Sequence, residues 1–149
     1  MGPNTKAVHG GRQNLGNAHV PPIDLSTTYK TRDLAQATQS IDSMANGGDP
    51  IGSSVYQRLH NPTVARFEEA FADLEGGATA VSFSSGMAAV TAALLAARMI
   101  GNHVVAVRPL YGGTDHLLSS NLLGIQVTWA TPETVSDCIQ DDTAMVLCE

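Results

Sequence analysis

Lysine is nearly missing from this chain: among 149 residues only Lys6 and Lys30 are lysines, and both precede residue 61. No Gly-Lys-Ser/Thr phosphate loop can therefore be written anywhere along it. Basic residues number 8 against 14 acidic ones, a net charge of −6, with no basic run. Nucleic acid, which needs clustered Lys and Arg, is not an expected partner. Cysteine is limited to Cys138 and Cys148, which form no CxxC pair, so buried reduced thiols are expected and no disulfide framework. His9, His19, His60, His103 and His116 are scattered without metal-ligand spacing, and no metal site is expected. Apolar runs break well short of membrane-spanning length, and the N-terminus shows no charged-then-apolar leader. The expected location is the cytoplasm, with no membrane partner.

What is present is globular. Apolar residues make up 43% and charged residues 15%, a balance that excludes disorder and suffices for one domain with a core. Up to residue 60 the chain is rich in Gly, Pro, Ser and Asn with little periodicity, as in Val20-Pro21-Pro22 and Asn46-Gly47-Gly48-Asp49-Pro50. Residues 1–60 read as an irregular arm that lies over another surface, such as a second subunit.

From Asn61 onward the pattern turns regular. Asn61 is a good N-cap and Pro62 a good first helical residue; Phe67, Ala70, Phe71 and Leu74 follow at helical spacing, and Gly76-Gly77 stops the helix. Residues 78–83 read as a buried strand and 86–100 as a strongly apolar helix closed by Gly101. Residues 103–107 form a second strand, 114–123 a second helix closed by Gly124, and 125–129 a third strand. Thr131-Pro132 starts a short helix, and 144–148 is a fourth strand. Strands alternating with helices imply parallel βαβ units in a doubly wound α/β sheet, with ligands outside the strands' carboxyl ends. That rule selects the loops after Phe83 and Val107, and Glu149. Because the sequence stops on such a strand end, it reads as a fragment of a larger domain.

Three groups of residues could carry chemistry. Ser84-Ser85-Gly86-Met87-Ala88-Ala89 joins strand to helix with small residues. It is either an ordinary tight turn or a phosphate cradle, since the N–H groups of a helix start face the loop. The dinucleotide fingerprint G-x-G-x-x-G is absent. Tyr111, followed by Gly112-Gly113, is either a half-buried tyrosine capping the next helix or a ring laid beside a ligand. Tyr56 and Arg58 are either solvated loop residues or a hydroxyl and a guanidinium fork suited to phosphate, delivered by the arm to a neighbour's site.

Five ordered motifs carry a resemblance. They are residues 21–29 (Pro-Pro-Ile-Asp-Leu-Ser-Thr-Thr-Tyr), 56–63 (Tyr-Gln-Arg-Leu-His-Asn-Pro-Thr), Leu74-Glu75-Gly76-Gly77, the Gly86 loop, and Leu110-Tyr111-Gly112-Gly113-Thr114. Over nearly its whole length the chain resembles the N-terminal part of the Cys/Met-metabolism family of pyridoxal-phosphate (PLP) enzymes, which includes cystathionine γ-synthase, cystathionine γ-lyase and methionine γ-lyase. The resemblance implies an aspartate-aminotransferase-like, fold-type-I transferase fold with a mostly parallel sheet, residues 61–149 being the first part of its large PLP-binding domain. It implies a cytoplasmic homotetramer of a lyase or transferase acting on sulfur-related amino acids at the β or γ carbon, in transsulfuration chemistry. Ser85, Gly86 and Met87 would hold the phosphate of pyridoxal 5'-phosphate, and Tyr111 would stack on its ring as the catalytic residue. Tyr56 and Arg58 would reach the phosphate in the adjacent subunit. Gln57 stands where many members have Ser, and Gly113 where methionine γ-lyases tend to carry Cys, which points away from that branch. The cofactor-bearing Lys, the pyridinium-pairing Asp and the substrate-carboxylate Arg of the family would all lie downstream, so the chain alone is expected to be inactive. The competing expectations are a short, non-catalytic protein that pairs with a longer relative and, more weakly, a nucleotide-binding half-domain in which Arg108 meets a ribose phosphate.

Overall fold

The structure, a computed structural model, describes every residue except Asn14. The chain divides into two compact units, residues 1–82 and 83–149.

The N-terminal unit is helical: α1 (Pro3–His9), α2 (Leu34–Ala45) and α3 (Pro62–Glu75). Helix α3 starts and stops where its sequence signals lie. The Asn61 side chain accepts from the N–H groups of Thr63 and Val64, Pro62 opens the helix, and Gly76 closes it in the left-handed conformation at φ 72°. Helices α1 and α2 depart from the irregular arm expected for residues 1–60. Asp33 caps α2 by accepting from Ala35 N–H at 2.9 Å, and Ala37, Ser40 and Met44 form its buried face. That face is hard to read in sequence because a serine occupies its centre. Ser40 earns burial by donating to the Ser53 carbonyl at 2.6 Å and accepting from Ile51 N–H at 3.0 Å. Helix α1 packs on α3, and Lys6 pairs with Asp73 at 2.9 Å. The compact unit accordingly extends past residue 60 to include α3.

The C-terminal unit alternates helix and strand: α4 (Gly86–Ala97), β1 (His103–Val107), α5 (Gly112–Ser119), β2 (Gln126–Ala130), a 3-10 turn (Val135–Cys138) and β3 (Thr143–Leu147). The sheet is parallel, in the order β2-β1-β3. Central β1 is buried along its whole length. Val104 and Ala106 face Leu94, Leu118 and Ile125 on one side of the sheet. Val105 and Val107 face the other side with Ala130, Val135 and Cys138. This two-sided covering explains why β1 reads as a continuous apolar run and not as an alternating one. Gly101 lets the backbone pass against the Asp142 carbonyl, where any Cβ would collide.

Two expectations need correction. Residues 78–83 form no strand, so the sheet has three strands and not four. The apolar run fits a strand, but a strand needs a ladder partner, and this segment pairs with no strand among the described residues. Ser82 instead gives its N–H and hydroxyl to Glu68 Oε1 at 2.7 and 2.8 Å, and Val81 is 70% exposed. Helices α4 and α5 also end earlier than expected, at Ala97 and Ser119.

Candidate functional site

The loop ahead of α4 meets the carboxyl ends of β1 and β3 in the C-terminal unit. Ser85, Gly86, Met87, Val90, Tyr111, Thr114 and Glu149 line one open cavity of about 440 Å³. Four of the six residues singled out from sequence, Ser85, Gly86, Met87 and Tyr111, are thereby brought to one place.

The N-terminus of α4 forms one wall. Ser85 sits in extended conformation as N-cap, and its Oγ accepts from Ala88 N–H at 3.2 Å, which leaves the hydroxyl proton free to donate outward. No acceptor among the described residues pairs with the N–H groups of Gly86 or Met87. A Cβ built on Gly86 meets no atom within 4 Å, so the missing side chain widens the cavity and is not needed for packing.

Tyr111 forms the opposite wall, 66% exposed, just ahead of α5. Its loop is braced from several sides. Arg108 donates two hydrogen bonds to Asp115, at 2.7 and 3.1 Å, bracketing Tyr111 with a fork. The same guanidinium lies 3.7 Å from the centroid of the Trp129 ring. Arg108 beside Asp115 is the main reason that carboxyl is held below its ordinary value of 3.8. Arg108, the residue expected on the weaker reading to meet a ribose phosphate, has its Nε and Nη2 engaged by Asp115. Gly113 lies under the tyrosine: a Cβ there would stand 2.6 Å from Tyr111 Cε1 and 3.1 Å from Met87 Sδ. The absent side chain at 113 makes room for the ring.

Tyr56 and Arg58 belong to the N-terminal unit. Their loop joins two of the sequence motifs in a small antiparallel contact, with Thr28 bridged to Tyr56, Tyr29 N–H on the Val55 carbonyl at 3.0 Å, and Gln57 N–H on the Thr27 carbonyl at 2.9 Å. The loop is closed by the Ser54 hydroxyl against His60 Nδ1 at 2.9 Å. Val55 takes φ 57°, a costly conformation for a β-branched residue, immediately before Tyr56. The Arg58 guanidinium lies 5.2 Å from the Tyr56 ring centroid. The Tyr56 ring and the Arg58 guanidinium thus lie together on a loop whose backbone is well tied.

Thr114 and Val90 were not picked out individually by sequence reasoning, and Glu149 was marked only by its place after a strand. The rule that ligands gather at strand ends was the available signal for Glu149. Among the described residues no helix is long and apolar enough to cross a membrane.

Known proteins resemble this chain in sequence and fold. The chain is 53% identical over 149 residues to the L-methionine gamma-lyase of Streptomyces avermitilis, covering 97% of this chain and 36% of that protein. It is 54% identical over 157 residues to the L-methionine gamma-lyase of Brevibacterium sandarakinum, covering 100% of this chain and 39% of that one. The chain therefore spans a little over a third of the length of these curated relatives. Their names run against the pointer drawn from Gly113 away from the methionine γ-lyase branch. The crystal structure of cystathionine gamma-lyase from yeast matches with a TM-score of 0.75 at 28% identity, over 98% of this chain and 35% of that one. The expected α/β fold with a parallel sheet is the fold of that lyase's matching part. A family model described as Cys/Met metabolism PLP-dependent enzyme matches residues 4–149, and the chain belongs to that family.

Proposed function

We propose that residues 1–149 form the N-terminal part of an enzyme that uses pyridoxal 5'-phosphate for elimination or replacement at the β or γ carbon of sulfur amino acids. The observation that carries the reading is the cavity at the α4 N-terminus, where an available hydroxyl, two unpaired N–H groups and a missing Cβ face the same space. That donor set fits a phosphate: the N–H groups are oriented by the helix, and the helix start favours negative charge. When bound, pyridoxal phosphate supplies an electron sink that acidifies the proton on the substrate Cα. Ser85, Gly86 and Met87 hold the phosphate, and Tyr111 offers an aromatic face to the pyridine ring and a hydroxyl for proton handling near the substrate. Tyr56 and Arg58 supply a hydroxyl and a fork of donors to the phosphate in an adjacent subunit. Lys6 and Lys30 both lie in the N-terminal unit. The covalent lysine is assigned to the remainder of the protein. Methionine is the favoured substrate, supported by the names of the two relatives at 53% and 54% identity.

The test uses a protein that carries residues 1–149 together with the remainder of its chain. Titration with pyridoxal phosphate, followed by cofactor absorbance, should show Gly86→Val weakening affinity roughly tenfold or more, because the added side chain fills the phosphate space. Undiminished affinity in that variant refutes the cradle. Keto-acid release from methionine, compared with cystathionine and O-acetylhomoserine, ranks the substrates. Mixing Arg58→Ala with a variant lacking the covalent lysine should restore partial activity in mixed oligomers, because intact halves then meet across the interface.

A further inference from the structure

Helix α5 begins without a cap of its own. Tyr111 occupies its N-cap position and offers no side-chain acceptor to the exposed N–H groups of the first turn. What is satisfied instead is the N–H of the N-cap residue itself, as in the reciprocal half of a capping box, by an acceptor 38 residues away in sequence, beyond the end of β3. The Glu149 carboxylate accepts from the Tyr111 N–H through Oε2, and from the Thr114 hydroxyl at 2.7 Å through Oε1. Thr114 is fully buried, and its other neighbour is the weakly accepting Met87 Sδ at 3.9 Å. Both carboxylate oxygens are therefore engaged, one on each side of Gly112-Gly113. We propose that Glu149 is the positioning residue for Tyr111: it caps α5 from the adjacent strand end and thereby fixes the backbone from which the ring is projected over the cavity.

Three observations converge on this role. Glu149 lines the same cavity as Tyr111 and Gly86. The two glycines after Tyr111 leave the first turn of α5 intrinsically permissive, so its conformation must be imposed by contacts. A carboxylate at a helix start is favoured by the helix dipole, and its hydrogen bonds are of the stronger, charge-assisted kind. The Arg108–Asp115 fork ties the ends of the loop together, and Glu149 is the group that holds its centre. The part of the inference that concerns ring stacking rests on the proposed function; the capping of α5 does not.

Two readouts keep these apart. Hydrogen exchange of the peptide containing Tyr111 is followed in the complete protein without added cofactor, in wild type, Glu149→Ala and Glu149→Gln. Exchange at the Tyr111 N–H should be faster in Glu149→Ala by roughly tenfold or more, since a charge-assisted bond is lost. Glu149→Gln, which keeps an oxygen for Tyr111 and an amide for Thr114, should recover much of the protection. With pyridoxal phosphate added, the induced circular dichroism of the cofactor should change in Glu149→Ala, while the affinity set by the Gly86 cradle changes less. Thr114→Val replaces the hydroxyl with a methyl of similar size and should shift the dichroism in the same direction, which preserves the test if Glu149→Ala fails to fold. Unchanged exchange and dichroism in Glu149→Ala would overturn the proposal. A wild type that binds no cofactor, yet shows Glu149-dependent protection, would refute the proposed function and leave the capping role standing.

Discussion

The two units solve the problem of burial in different ways. The C-terminal unit closes around β1, whose five residues are all buried, with Leu94 at 0% exposure packed against it. The N-terminal unit has no sheet, and its apolar residues stay largely outside. On α3, Val64, Phe67, Phe71 and Leu74 recur at helical spacing, yet all are exposed, Phe67 by 57%, and the two phenylalanine rings stack only on each other at 5.8 Å. Its order comes instead from polar ties: the Asn61 cap, the Ser40 bonds, the Lys6–Asp73 pair and the loop clamp at Ser54–His60. A central strand covered on both faces buries its own apolar residues, whereas helices tied by hydrogen bonds can present an apolar face to something else.

Breaking the core tests this contrast most strongly. Leu94→Ala should destabilise the C-terminal unit by about 2–5 kcal/mol in denaturant unfolding, the range for a leucine deleted from a packed interior. Phe67→Ala, on the exposed stripe, should cost under about 1 kcal/mol, because little apolar area returns to water. Equal losses at the two positions would remove the distinction.

A smaller effect is expected where the N-terminal unit relies on polar ties. Asn61→Ala should lower its stability by about 1 kcal/mol, by freeing the N–H groups of Thr63 and Val64 at the start of α3. Asn61→Asp, which keeps the acceptor but loses the Nδ2 hydrogen bonds to the Asp24 carbonyl and the Tyr29 hydroxyl, should restore only part of it. Thermal unfolding followed by helical circular dichroism measures both.

The smallest effect is electrostatic and belongs to the Tyr111 loop. Asp115 is held below its ordinary value of 3.8, chiefly by the Arg108 hydrogen bonds. Its folded-state value is thus depressed relative to the unfolded chain. The fork's contribution is complete above the unfolded value and is lost as pH falls through the still lower folded value. Acid titration of Asp115→Asn against wild type should show stabilities that differ at neutral pH and converge only once the pH falls below the depressed folded-state value. The exposure of both partners keeps the difference slight.

How much of the molecule could be read in advance depends on where each hydrogen bond finds its partner. The Asn61-Pro62 start and Gly76 stop of α3 were legible, since cap and helix lie within a few residues of one another. Strands β1, β2 and β3 were legible because apolar runs recur between short helical segments. Helix α2 was not, because its buried face contains Ser40, whose satisfaction depends on the chain at 51–53. Residues 78–83 misled in the opposite sense: their composition suits a strand, but composition does not provide the neighbouring ladder.

The same division holds in the candidate site. The amino-acid sequence by itself determined the small-residue turn at Ser85-Gly86 ahead of α4, the aromatic-Gly-Gly segment at Tyr111 and the α/β alternation that sends Tyr111 to the end of β1, since each is set by local propensity and spacing. Only the tertiary structure decided that Glu149 caps α5, that Arg108 is committed to Asp115 and Trp129, and that Gly113 lies beneath the Tyr111 ring. The physical reason is that a carboxylate, a guanidinium or a missing Cβ acquires its role from whatever atom the fold places within hydrogen-bonding or van der Waals distance. For Glu149 that atom lies 38 residues away, on a loop that parallel sheet packing alone brings alongside it.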